Sequence, residues 1–405
     1  MSQTTIDDEL DIDPSPTGSV FISQIQPINF LSFGPDTEPI ELRSLNVLIG
    51  ANGSGKSNLI EAIAFLRAAP TGFQKVTGAG GGVSKWIYKG NSDQDASVLA
   101  ILNYNNGESF LQHTIDFRPN NYAFQLTNES ITDVIGLDAA SSDSFLAVNH
   151  NGRIEISGGQ NTVNIDSTVF SANASILALY RNLIDYPQLN HLADKYSNIC
   201  IYRNWHFGRD NVLRGSQRAD ALDDRLEEDY SNLGVFLSRL FENPAVKDNF
   251  REHLRDIYAG LEDIKIDIID EAFSFELEEK GYPISAVRLS DGTLRYIALL
   301  AILCDPTPPP LICIEEPEIG LHPDLIHTVA DLLQDASRRT QLIITTHSDI
   351  LVDALSKDAD KILVCEKWEG KTEVKRLEPE ELEVWLKEYS LGQLWRRGQL
   401  GGTRW

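Results

Sequence analysis

GANGSGKS, Gly50 to Ser57, is the stretch on which the fold turns. An alternating apolar segment, Ile40 to Ile49, runs directly into it, and Ser57 to Ala69 follows with a helical period. Leu59, Ile60, Ile63, Ala64 and Leu66 form the apolar face of that helix, and Pro70 stops it. A glycine loop between a strand and a helix lets successive backbone N–H groups converge on phosphate oxygens at the positive end of the helix. The spacing matches Gly-x4-Gly-Lys-Ser/Thr, in which lysine adds a point charge to the β- and γ-phosphates and the hydroxyl ligates Mg2+. Gly50, Asn52, Gly53, Ser54, Gly55, Lys56, Ser57 and Asn58 are therefore predicted to hold ATP, with Lys56 also catalytic and Ser57 on the metal.

Three downstream segments extend this chemistry. LICIEEPEIGLHP, Leu311 to Pro323, is a buried apolar strand ending in adjacent carboxylates. Neighbouring strand residues point opposite ways, so Glu315 is assigned to Mg2+ and Glu316 to orienting and polarising the attacking water. LSDGTLR, Leu289 to Arg295, places Ser290 and Gly292 at a helix start, which is a second anion site. QLIITTHS, Gln341 to Ser348, puts His347 at the end of another apolar strand.

Together these strings resemble the ABC-type P-loop ATPases of the RecF, SMC and OLD-like branch, over Val20 to Ala69 and Arg288 to Cys365. The resemblance implies that LSDGTLR is the signature motif, facing the γ-phosphate held by a second copy. It also implies a head-to-tail homodimer with two composite ATP sites, His347 as the switch histidine, and Glu318 and His322 in a loop lining the dimer interface. Two departures stand out: only 58 residues remain after His347, too few for an OLD-type nuclease domain, and no long coiled coil is present. Gln74 is the candidate for the family's Q-loop, a position this sequence does not mark clearly.

The fold class read from this order is α/β: an ABC-type core split by a large β and helical lobe. Residues 20–70 and 286–370 are expected to form the core and 71–173 a β-rich lobe with hairpins at Asn106-Gly107 and Asn151-Gly152. Residues 174–262 read as a helical insertion in which Asn243 caps a helix starting at Pro244, and 263–285 as return strands. Residues 371–405 read as a C-terminal helix and tail, and 1–19 as a disordered acidic tail without the features of a signal peptide.

Composition narrows the function classes. Sixty acidic against 35 basic residues give a net charge of −25, which on average repels phosphate backbones. Nucleic-acid contact then needs a local basic patch, and YRNWHFGRDNVLRGSQR, Tyr202 to Arg218, is the candidate. The competing reading has its arginines paired with Asp220, Asp223, Asp224, Glu227 and Glu228. Cys200, Cys304, Cys313 and Cys365 lack metal-ligand spacing and read as buried thiols of a reduced, cytoplasmic protein. No apolar run is long enough for a membrane helix, so a membrane partner is not expected. Trp395, Arg396, Arg397, Arg404 and Trp405 near the C-terminus either dock a partner or pack on the chain's own core. The resemblance favours an ATPase that regulates a separately encoded effector such as a nuclease, in bacterial anti-phage defence or genome maintenance. The alternative is a RecF-like repair ATPase acting directly on DNA; a transporter subunit is disfavoured by the size of the insertion.

Overall fold

The computed structural model describes residues 20–90, 93–104, 109–134, 145–158, 161–165, 173–179, 186–205, 207–208, 217–218, 224–269 and 272–401. The expected acidic tail 1–19 and the Asn106-Gly107 turn lie outside them.

At the centre is a six-stranded sheet in the order Cys200–Tyr202, Leu311–Glu315, Gln341–Thr345, Leu45–Ile49, Ile362–Trp368, Lys371–Arg376. The first five strands run parallel and the last returns antiparallel. Leu45–Ile49 and Gln341–Thr345 are buried at every position, as expected when both faces of a parallel sheet are covered. Alternate residues feed two cores. Val47, Ile312, Ile314 and Ile344 join the helices Leu233–Leu240, Asp291–Leu303 and Leu325–Ala336 on one face. Leu48, Leu311, Cys313 and Ile343 join the helices Lys56–Ala68 and Pro187–Ser197 and the aromatic core around Phe30, Phe65 and Phe117 on the other.

That second core is closed by an eight-stranded antiparallel sheet, ordered Ile40–Glu41, Ile22–Ile28, Ala96–Tyr104, Ser109–Asn120, Ala123–Val134, Phe145–His150, Arg153–Gly158, Asn161–Ile165. The turn at Asn151-Gly152 joins two of its strands, with both residues at positive φ. In a smaller sheet Ala272–Glu279 pairs with Gln217–Arg218, Leu261–Ile269 and Tyr282–Ser285. Asn243 caps the helix Pro244–Leu254, its side chain accepting from the Ala245 amide.

Three boundaries differ from the sequence reading. Ile22–Ile28, placed with the nucleotide core, belongs to the antiparallel sheet; its half-buried alternation is what a sheet with one covered face produces. The stretch read as a helical insertion contains Cys200–Tyr202, a parallel edge strand of the central sheet, and three residues are too few to show a period. Lys371–Arg376 is a strand rather than the start of a C-terminal helix. Gln341 joins the two large sheets: its side chain accepts from the Phe21 and Ile22 amides and donates to the Ile22 and Arg43 carbonyls.

Candidate nucleotide-binding site

The loop Gly50–Gly55 leaves the central strand Leu45–Ile49 and enters the helix Lys56–Ala68. Gly55 sits at φ 109, and a Cβ there would collide with the Thr372 hydroxyl, which itself donates to the Ser54 carbonyl at 2.8 Å. Only glycine tolerates both the left-handed backbone and the contact. No side chain caps this helix and its first turn holds no acid, so its positive end is left to an anion. Lys56, almost fully buried, curls back so that Nζ donates to the Gly50 and Ala51 carbonyls at 2.8 and 3.2 Å.

A cleft of about 480 Å³ opens over this loop, lined by Asn52, Gly53, Gly55, Lys56, Ser57, Asn58, Glu316, Thr345 and His347. The Ser57 hydroxyl donates to Glu315 Oε2 at 2.9 Å, bridging the helix start to the end of the strand Leu311–Glu315, two strands away from Leu45–Ile49. Glu316 is not a strand residue as the alternation argument assumed. It sits at φ 50, while its amide still donates to the Thr345 carbonyl at 2.9 Å. A non-glycine residue held there is strained, and this backbone turn brings Glu316 Oε1 to 3.5 Å from His347 Nε2. Burial, then the charge of Lys56, push the His347 imidazole below its ordinary pKa, with Glu316 opposing the shift. His347 is thus held toward its neutral form.

Gly50 and Ser54, predicted to hold the nucleotide, are not among the residues lining the cleft, and Ser54 is buried. Ser290 and Gly292 lie outside the cleft formed by their own chain. Ser290 caps the helix Asp291–Leu303, its hydroxyl accepting from the Thr293 amide at 3.1 Å. Gln74 is exposed at the start of the helix Gln74–Ala79 and does not line the cleft. Glu318, expected with His322 in a loop lining the dimer interface, bonds within its own chain: its Oε1 accepts from the Thr346 hydroxyl at 2.7 Å and the His347 amide at 2.8 Å. His322 is exposed, 3.4 Å from Asp324.

The basic and aromatic cluster reads differently in space. Tyr202, Trp205 and Phe207 are buried against Tyr230, and Trp205 Nε1 donates to the Glu315 carbonyl at 2.7 Å. Arg203 turns toward Glu61 and Glu315. Among the described residues, Glu228 bonds Arg67 and the Ile201 amide. Arg209 and Arg214 lie outside the described residues, as do Arg404 and Trp405. Trp395 is buried in the main core, Arg396 pairs with Asp349, and Arg397 lies over the Tyr389 ring. Arg203, Glu61 and Trp205 are the site neighbours that sequence reasoning missed; a run of charge and aromatics gives no sign of which way each side chain faces.

The residues present fit Mg2+ and a nucleotide. Ser57 and Glu315 offer hard oxygen donors, the type magnesium takes alongside phosphate oxygens. No group of three or more His, Cys, Asp or Glu side chains suited to a metal occurs among the described residues. None of the helices there is long and apolar enough to cross a membrane.

The family model described as AAA domain, putative AbiEii toxin, Type IV TA system matches residues 45–353. A search of curated proteins finds no match. Among solved structures, the chain is similar to an Smc head bound to the C-winged helix domain of ScpA, with TM-score 0.57 and 17% identity over 89% of this chain and 99% of that one. It is also similar to an Smc head domain with an extended coiled coil, bound to the C-terminal domain of ScpA and derived from Pyrococcus furiosus. There the TM-score is 0.56 and identity 16%, over 91% and 99% of the two chains. At such identity the likeness concerns the fold, that of an ABC-type P-loop ATPase. The glycine loop, the paired carboxylates and His347 all fall inside the matched span, and the chain belongs to the AAA-domain family described as putative AbiEii toxin, Type IV TA system.

Proposed function

We propose that this chain hydrolyses ATP to ADP and phosphate as a head-to-tail dimer and, through its nucleotide state, controls a separately encoded effector. The observation that carries the reading is the single cleft in which Lys56, Ser57, Glu316 and His347 meet, with Glu315 bonded to Ser57. Lys56, drawn into the loop by two carbonyls, is placed to exchange them for phosphate oxygens. Ser57 and Glu315 would hold Mg2+, which when bound offsets phosphate charge. Glu316 Oε1 takes the proton of the attacking water as its oxygen bonds to the γ-phosphorus and the bond to the departing ADP breaks, while neutral His347 stands on the phosphate side of the cleft. Ser290 and Gly292, outside their own chain's cleft, are then available to a partner's nucleotide. A family description that refers to a TA system supports a separately encoded counterpart, and defence or genome maintenance is the corresponding setting.

The test compares Lys56→Ala with Glu316→Gln. Lys56 meets charge present in the ground state, whereas Glu316 acts on the water in the transition state. The first variant should lose nucleotide binding. The second should bind ATP normally, lose about 100-fold or more in turnover, and elute as a dimer with ATP. Equal loss of binding in both would overturn the assignment.

A further inference from the structure

The metal-facing carboxylate of the proposed site has two different neighbours. Glu315 Oε2 receives the Ser57 hydroxyl at 2.9 Å, while Oε1 faces Arg203 Nε at 3.1 Å. The same guanidinium reaches Glu61 Oε1 through Nη1 at 2.5 Å. Glu61 lies four residues after Ser57 on the helix Lys56–Ala68, one turn along the same face. One arginine thus stands between two carboxylates, and all three side chains are less than a third exposed, at 31%, 27% and 20% for Arg203, Glu61 and Glu315.

Arg203 is not a wandering surface side chain. Tyr202 before it is buried and donates to the Leu226 carbonyl at 2.8 Å, and Trp205 after it is anchored on the Glu315 carbonyl. Arg203 Nε and Nη2 are both buried without a hydrogen-bond partner, so the guanidinium faces Glu315 as a charge and not through a hydrogen bond.

Building on the ATPase reading above, we infer that Arg203 competes with Mg2+ for Glu315 and sets the metal concentration at which nucleotide binds. A carboxylate oxygen cannot give its full charge to a divalent ion while a guanidinium stands about 3 Å away, and the two cations repel. Glu61 makes the exchange possible. When Glu315 turns to the metal, Arg203 keeps a carboxylate partner and is not stranded as an unpaired buried charge. The two acids therefore act in opposite senses: Glu315 binds the metal, and Glu61 draws the competitor away.

The experiment titrates MgCl2 against binding of a fluorescent, non-hydrolysable ATP analogue by the full chain. Arg203→Gln should lower the half-saturating Mg2+ concentration about fivefold, and Glu61→Gln should raise it by a similar factor, because Arg203 then leans wholly on Glu315. A structural role alone would not move the two variants in opposite directions. Unchanged thresholds, shifts of the same sign, or loss of binding by Arg203→Gln at saturating Mg2+ would overturn the inference. Should Arg203→Gln fail to fold, the direction of the Glu61→Gln shift decides. Wild-type protein that binds the analogue equally with and without Mg2+, and equally after Ser57→Ala, would instead sink the ATPase reading.

Discussion

Glu318 holds the backbone of its neighbour His347 with one carboxylate oxygen and leaves the other, Oε2, buried without a partner. Burial raises its pKa above the ordinary carboxylate value, although the bonds from Thr346 and His347 pull the other way. A raised carboxylate costs stability as pH climbs through its folded pKa, and costs nothing below 4.5, where it is protonated folded and unfolded alike. Glu318→Gln keeps an acceptor for both donors and removes the charge. The variant should therefore melt close to wild type near pH 4.5 and higher than wild type at pH 8, with most of the turnover retained. Glu318→Ala frees the His347 backbone and should lower kcat about tenfold with little change in KM. Melting curves at the two pH values and steady-state kinetics check both. His347 has the opposite sign: its lowered pKa favours the fold above pH 6.5 and the advantage is lost as pH falls through the folded value.

Between elements, the helix Asp291–Leu303 and the loop after Glu316 are fitted to each other at two points one turn apart. Arg295 Nη1 donates to the Ile319 carbonyl at 2.7 Å, and a Cβ on Gly292 would lie 2.8 Å from the Gly320 carbonyl. Glu318 belongs to this same loop, so the fit between helix and loop also sets where His347 stands. Gly292→Val should push the loop away, costing about 1–3 kcal/mol of stability, and should slow turnover at saturating ATP. Val384→Thr, at an exposed position away from this loop, should stay within about 0.5 kcal/mol of wild type. Chemical denaturation of both variants separates these outcomes. LSDGTLR announced a helix start at Ser290, because a capping serine works through local bonds. Its partner loop was not legible, since that contact joins segments 24 residues apart and depends on how the helix is rolled.

At the scale of the molecule, four thiols report on the packing of both cores. Cys200, Cys304, Cys313 and Cys365 are all buried and free. Burial pushes Cys200 up to about 11 and Cys304 and Cys365 up to about 12, with Cys313 shifted upward as well. Thiolate is the reactive form, so native protein at pH 8 should leave all four unlabelled by an aromatic disulfide reagent, and denatured protein should react fully. Fast native labelling at the edge strand, where Cys200 lies, would show that this strand opens on its own.

What the sequence by itself determined is the local grammar: a glycine loop between strand and helix, apolar strands ending in Glu315 and His347, a serine cap at 290. Each depends on neighbours a few residues away, and periodicity or turn chemistry records it. Only the tertiary structure decided which strands share a sheet. It moved Ile22–Ile28 out of the parallel sheet and Cys200–Tyr202 into it. It also turned Arg203 inward to Glu61 and Glu315, turned Glu318 to His347, and left Gln74 at the surface. Such contacts span up to 142 residues for Arg203 and Glu61. They form because burying a charge requires a partner, and which partner comes within reach is settled by how the strands and helices pack, not by spacing along the chain.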